Sequence, residues 1–243
     1  MQHQQGCVFN ARLYFEKKQG ENIMTNIFSA QIDTLMSDAS ASLYDLLVAE
    51  HTPALLCSLG FTDLPLMMAS NHVISCLAPK NDELHHHGLR KEHLVSIEKL
   101  LANPAFIYDC SNRDDSIAVV TNYVDDEGLP LVIFVCASGV QCHGDGSVSI
   151  VNYVTSMYGK SLCSVWHAYF NALNSRTLLY VNFAKTYGLL KYCRCPEYRT
   201  QYLENRTGTK TYAQSFNASL AGETINERVR RYEHKCRYRA RTY

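Results

Sequence analysis

His72 sits beside Asn71 in a segment of helical spacing, and a run of three more, His85-His86-His87-Gly88, stands just ahead of another such segment. Imidazoles titrate near neutral pH and suit proton transfer. A third group, Thr155-Ser156-Met157-Tyr158-Gly159-Lys160, falls where a β-branched run gives way to a helical one. Hydroxyls, an amine and backbone N–H groups at a helix entry suit a phosphate or another anion. Each group also has a plain reading. A lone histidine on an amphipathic helix is more often a packing group than a catalyst. A histidine triplet in a loop is usually solvated, and Ser-x-Tyr-Gly-Lys is commonly cap and turn chemistry. None of the three decides a function alone.

Metal and cofactor chemistry finds less support. Cys193-Arg194-Cys195 has one intervening residue where zinc sites have two to four, and no second pair follows at a ribbon spacing. Cys142-His143 is isolated. There is no phosphate-cradling Gly-rich loop, no Gly-x-Ser-x-Gly elbow and no His-Glu-x-x-His. We expect neither a metal nor a cofactor. The chain holds 10 cysteines, most of them inside apolar runs such as Leu55-Leu56-Cys57 and Val135-Cys136-Ala137. There a thiol serves as a small core group, so reduced cysteines are the expectation.

The elements that must position these residues follow from periodicity. Apolar residues at helical spacing (Ile27, Leu35 and Met36, then Leu43, Leu46 and Leu47) predict helices over about 26–50, ended by Pro53. A short apolar piece, 64–69, precedes a short helix that carries His72. Leu89, Leu94, Ile97, Leu100 and Leu101 predict a helix closed by Asn103-Pro104. The period then changes. Runs at 105–109, 116–124, 129–137 and 148–154 alternate with polar turns and predict a β-meander. A helix bearing Trp166, a short strand at 178–181 and a last helix reach Leu190. Helices gathered first and strands after them predict an α+β fold rather than βαβ repeats.

The division that results is a polar extension over 1–25, an α+β domain over 26–190, and a basic tail over 191–243 with little core of its own. Met24 precedes the first periodic segment and is an alternative start. The net charge of zero conceals an asymmetry. The tail has 12 Lys/Arg against 5 Asp/Glu, a net of +7, and the rest has 11 against 18, a net of −7. Arg228, Arg230, Arg231, Lys235, Arg237, Arg239 and Arg241, interleaved with Tyr232 and Tyr238, suit contact with DNA or RNA; a solvated terminal helix is the competing reading. The polar N-terminus lacks a signal-peptide pattern, and the longest apolar run is far short of a membrane span. A cytoplasmic protein with no membrane contact is expected; a phage-delivered one would look the same.

From about Ala54 to Leu190 the chain resembles the C-terminal domain of phage Mu F-like head proteins. The matching text is LGFTDLPLMMASNHVIS, then HHGLRKEHLVSIEKLLANPAFIYDCSNRDDSIAVVTNYVDDEGLPLVIFV, then NYVTSMYGK, a Trp-bearing helix and LLYVN. That family is similar to the barnase–EndoU–colicin–RelE-like nucleases. The resemblance implies N-terminal helices packed on an antiparallel sheet of about four strands, and a toxin-type endoribonuclease that cleaves RNA without a metal, with a possible neutralising protein as partner. By position it implies His72, His87, Ser156, Tyr158 and Lys160 as catalytic residues. Asn122, Ser116, Tyr180 and Arg113 would contact substrate, and Asp115 also matches. His85 and His86 crowd His87, so the histidine that fills the role is left open by the sequence. A phage or mobile-element protein that binds nucleic acid or a protein partner without cutting it is the alternative.

Overall fold

The computed structural model describes residues 27–38, 45–81, 83–110, 116–142, 147–191 and 206–212. Its centre is an eight-stranded mixed sheet in the order β1-β2-β6-β5-β4-β3-β7-β8. The strands are β1 (Leu46–Ala49), β2 (Leu66–Met68), β3 (Phe106–Asp109), β4 (Ser116–Val124), β5 (Pro130–Cys142), β6 (Val148–Gly159), β7 (Leu178–Asn182) and β8 (Thr209–Thr211). The helices are α1 (Ile27–Ser37), α2 (Ala54–Ser58), α3 (Ser70–Leu77), α4 (Lys91–Val95), α5 (Ile97–Ala102), α6 (Leu162–Asn174) and α7 (Phe183–Leu190). The α+β class agrees with the sequence reading; the sheet of about four strands does not.

Three short strands make the difference. Leu46-Leu47-Val48-Ala49 was expected to be helical, yet it pairs antiparallel with β2, and β2 pairs parallel with β6. A four-residue apolar run fits either period, and only the partner strand decides it. β8 comes from the segment expected to lie apart from the domain. It pairs with β7 through Thr211, Lys210 and Thr209, all exposed, while Tyr212 packs on the core below. The rest of the meander lies where the alternation put it, with β5 and β6 each several residues longer than expected.

Alternation along the strands builds two cores. On one face Ile107, Ile117, Val119, Ile133, Val135, Val154 and Met157 pack under α1–α5. On the other, Phe106, Ala118, Val120, Val132 and Val181 pack under α6 and α7, around Trp166. Helix α1 buries Phe28, Ile32 and Leu35 and leaves Ile27 and Met36 in solvent, so its inward stripe is turned from the one first read. A single helix was expected over 89–101; the chain instead makes α4 and α5, joined at Ser96. Among the described residues, no helix is long and apolar enough to cross a membrane.

The β4–β5 turn is tied to the 78–93 segment by Lys80–Glu127 at 2.6 Å and Arg90–Asp126 at 2.8 Å. Both pairs are exposed, so each contributes roughly 0–1 kcal/mol. His93 does more. Its Nδ1 accepts the Arg90 N–H at the start of α4, and the ring is 9% exposed. Burial, helped by the Arg90 charge, holds the imidazole below the ordinary histidine value of 6.5. Above pH 6.5 both folded and unfolded chains are neutral here, and the contribution is intact. As pH falls below 6.5 the unfolded chain takes the proton first, so stability drains away until the folded ring protonates. The expected result is that His93→Gln, which cannot titrate, shows a shallower loss of urea-unfolding free energy between pH 7 and 5 than the wild type.

Candidate functional site

The residues singled out from the sequence do not all converge. The group that does converge lies on the α6/α7 side of the sheet, at the ends of β5 and β6. Cross-strand register puts Phe134 opposite Ser156 and Val132 opposite Tyr158. Two-residue alternation then aims Phe134, Ser156, Tyr158 and Lys160 at the same side. Tyr158 and Phe134 stack with ring centroids 5.4 Å apart and planes 19° from parallel. The Lys160 amine lies 5.4 Å from the Phe134 centroid and 5.8 Å from that of Tyr158. Such placement over ring faces attracts a cation. Burial pulls the Lys160 amine below the ordinary lysine range, and Cys110 acts in the opposite direction.

His87 reaches this group from outside the sheet. Its backbone N–H donates to the Ser75 carbonyl at 2.9 Å, and the Gly88 and Leu89 N–H groups donate to Ala78 and Cys76. Three consecutive bonds fix this strand of loop against the end of α3. The imidazole stacks on Tyr158 at 4.8 Å with planes 28° apart. Gly88 has φ +65° and would bring a Cβ to 3.2 Å from Lys80 N, so the turn that aims His87 calls for glycine. The neighbouring histidines go elsewhere. His86 pairs with Asn81 in a small bridge, and His85, at φ +54°, lies exposed at its tip. Of the triplet, His87 is the one against Tyr158.

His72 is half-buried on α3, one turn before Ser75, the residue that holds the His87 backbone. Helix α3 starts level with the middle of β6, because Met68 pairs with Val154 just before it. The Cys76 thiol donates to the Met157 carbonyl at 3.3 Å, and burial raises its pKa to about 11, so it stays a neutral packing group.

The other expected contacts are scattered. Ser116 is buried under the same face, opposite Cys136. Asn122 is exposed near the far end of β4. Tyr180 belongs to the core on the opposite face, because it pairs with Ile107; a tyrosine at that register position turns away from Tyr158. Arg113, Asp115 and the tail arginines and lysines lie outside the described residues. The anion-site reading of 155–160 also changes. Thr155 to Gly159 are strand, and only Lys160 and Ser161 stand at the entry to α6, where Ser161 caps the Ser164 N–H. Gly159 is tightly held: a Cβ there would meet the Asp125 carboxylate at 2.0 Å.

Tyr108 and Phe134 were missed by motif reading. Tyr108 pairs with Ala118, which pairs with Phe134, so the three share a row on the same face as Tyr158. Burial first, then Cys110 and Tyr158, raises the Tyr108 phenol far above its usual range, so it is a neutral hydroxyl. Strand alternation through Phe106, Tyr108 and Cys110 was the available signal. Among the described residues no group of three or more His, Cys, Asp or Glu side chains is arranged to hold a metal ion.

The corner therefore offers an imidazole, an amine, a hydroxyl and phenols beside stacked rings, groups whose chemistry suits proton transfer and contact with an anion. No curated protein and no solved structure matches the chain. The segment that carries His87, strands β3 to β7, Tyr158 and Lys160 does have a match: residues 78–187 fit the family model of the phage MuF C-terminal domain.

Proposed function

We propose that this phage-related domain is a metal-independent endoribonuclease that cleaves RNA by attack of the 2′-hydroxyl on the adjacent phosphate. The observation that carries the reading is the stacking of His87 on Tyr158 with the Lys160 amine alongside. The reaction needs a base for the 2′-hydroxyl, an acid for the leaving 5′-oxygen and donors on the phosphate oxygens. His87 takes one proton transfer and His72, on the adjoining helix, the other. Lys160, Ser156 and Tyr158 bind the phosphate. The O–P bond to the 2′-oxygen forms, the bond to the 5′-oxygen breaks, and a 2′,3′-cyclic phosphate and a free 5′-hydroxyl result. His72 lies outside the matched 78–187 segment, which makes His87 the stronger assignment.

The test is incubation of the purified chain with unstructured RNA in the presence of a chelator. Fragments ending in 2′,3′-cyclic phosphate are expected. Intact RNA with folded protein would instead favour a phage protein that binds nucleic acid or a protein partner without cleavage.

A further inference from the structure

The β4–β5 turn carries three consecutive acids, Asp125-Asp126-Glu127, and each engages a different part of the structure around the candidate corner. Asp125 stiffens the turn and seats it. Its Oδ1 accepts the Glu127 N–H at 3.0 Å and the Leu129 N–H at 2.8 Å, and its carbonyl accepts the Gly128 N–H. Its Oδ2 rests on the bare backbone of Gly159, where a Cβ would come within 2.0 Å of it. Lys160, the next residue, donates its N–H to the carbonyl of Pro130, the first residue of β5. The turn and the backbone that carries Lys160 are therefore packed as one unit.

The other two acids grip the loop that carries His87, one at each end. Glu127 takes the Lys80 amine at 2.6 Å, and Asp126 takes the Arg90 Nε at 2.8 Å. His87 lies between those two residues in the chain. Lys80 also lies against Gly88, where a Cβ would meet the Lys80 N at 3.2 Å and its Cβ at 3.3 Å. The residue after His87 and the residue before Lys160 are thus both glycines under a close neighbour, and both contacts lead to the same turn. Exposed ion pairs of this kind add little to stability. Their effect here is to fix a distance.

We propose that Asp126 and Glu127 are positioning residues, which hold the His87 loop at a set distance from the strand exit that carries Lys160, with Asp125 as the fixed end of the brace. The inference rests on the RNA-cleavage reading above and adds to it the residues that hold its two halves together. In that reading His87 and Lys160 act on one phosphodiester, yet they come from separate elements. A misplacement on the order of 1 Å can lower a rate by ~10²-fold. A brace that contributes little to folding can therefore govern the reaction.

The full chain is labelled at histidine, and the His87 ring signal is identified by its loss in His87→Gln. Stacking on Tyr158 displaces that signal by ring current, and exposed His85 gives the unstacked reference. Asp126→Ala/Glu127→Ala is expected to move the His87 signal toward the His85 position. Its cleavage rate at saturating RNA is expected to fall about tenfold, with half-saturation within about twofold of wild type. Lys80→Gln/Arg90→Gln breaks the same two pairs from the other side and is expected to match it. An unmoved signal in either folded double variant, a moved signal with unchanged cleavage, or loss of folding in both would overturn the brace. Moved signals in a chain whose wild type leaves RNA intact would keep the brace and reject the enzyme. Cleavage by the wild type with unmoved signals in the variants would do the reverse.

Discussion

Replacing His87 with alanine is expected to lower RNA cleavage by about 10²–10⁴-fold, the usual contribution of one positioned proton-transfer group. The fold should survive. His87 is anchored through its backbone N–H to Ser75, a bond that alanine retains, and its side chain is only part-buried. The ring lost is one layer of the stack on Tyr158, and stacks of this kind contribute about 0.5–1.5 kcal/mol beyond burial. The thermal midpoint should therefore move by a few degrees while activity falls by orders of magnitude. Alanine at His85, exposed at the loop tip, should leave cleavage near wild type and serves as the control within the triplet. If both single variants keep full activity, the assignment of His87 is wrong.

The largest effect on stability is expected far from that corner, at Asn152. Its side chain is fully buried, and every polar atom of it is used. Nδ2 donates to Thr52 Oγ1 at 2.7 Å and to the Thr62 carbonyl at 3.0 Å, and Oδ1 accepts the Ser138 N–H at 2.9 Å. Thr52 Oγ1 passes the chain on to the Leu64 carbonyl, and the Thr52 N–H donates to Asp63. One amide thus ties β6 to the loops on either side of α2 and to the bulge in β5, where Ser138 has φ +53°. Asn152→Leu preserves the approximate volume and strands the Ser138 donor. The three lost bonds contribute about 1 kcal/mol each and an unsatisfied buried group costs about 1–3 kcal/mol, so a loss of roughly 4–6 kcal/mol is expected. Urea unfolding would measure it. A loss below about 1 kcal/mol would mean that the bulge re-forms its contacts without the amide.

Asn152 also shows where reading from sequence stops. It sits in the NYVTSMYGK stretch, where the hydroxyls and the amine form a recognisable group and the amide does not. Its partners are 14, 90 and 100 residues away in the chain. No periodicity reports such contacts. β3 to β6 were legible because each is rich in β-branched and aromatic residues and is bounded by polar turns, a pattern that is local. β1, β2 and β8 were not, because runs of three or four residues carry no resolvable period and exist as strands only by pairing.

The candidate site divides in the same way. Ser156, Tyr158 and Lys160 were found together because they lie on one strand and its exit. The resemblance points to His87, and tertiary structure separates it from His85 and His86 through the hydrogen bonds that seat its loop on α3. Tyr180 was misplaced for want of register: counting residues does not reveal which face a strand turns to a neighbour two strands away. Phe134 and Tyr108 have no motif value and matter only through the row they share with Tyr158.

The proposed reaction uses the substrate's own 2′-hydroxyl. The most direct measurement is cleavage of a DNA oligonucleotide carrying a single ribonucleotide, beside the all-deoxy strand, with metal ions chelated. The prediction is one cut, 3′ to the ribonucleotide, leaving a 2′,3′-cyclic phosphate, and no cut in the all-deoxy strand. Cleavage of both strands, or of neither by a folded chain, would contradict it.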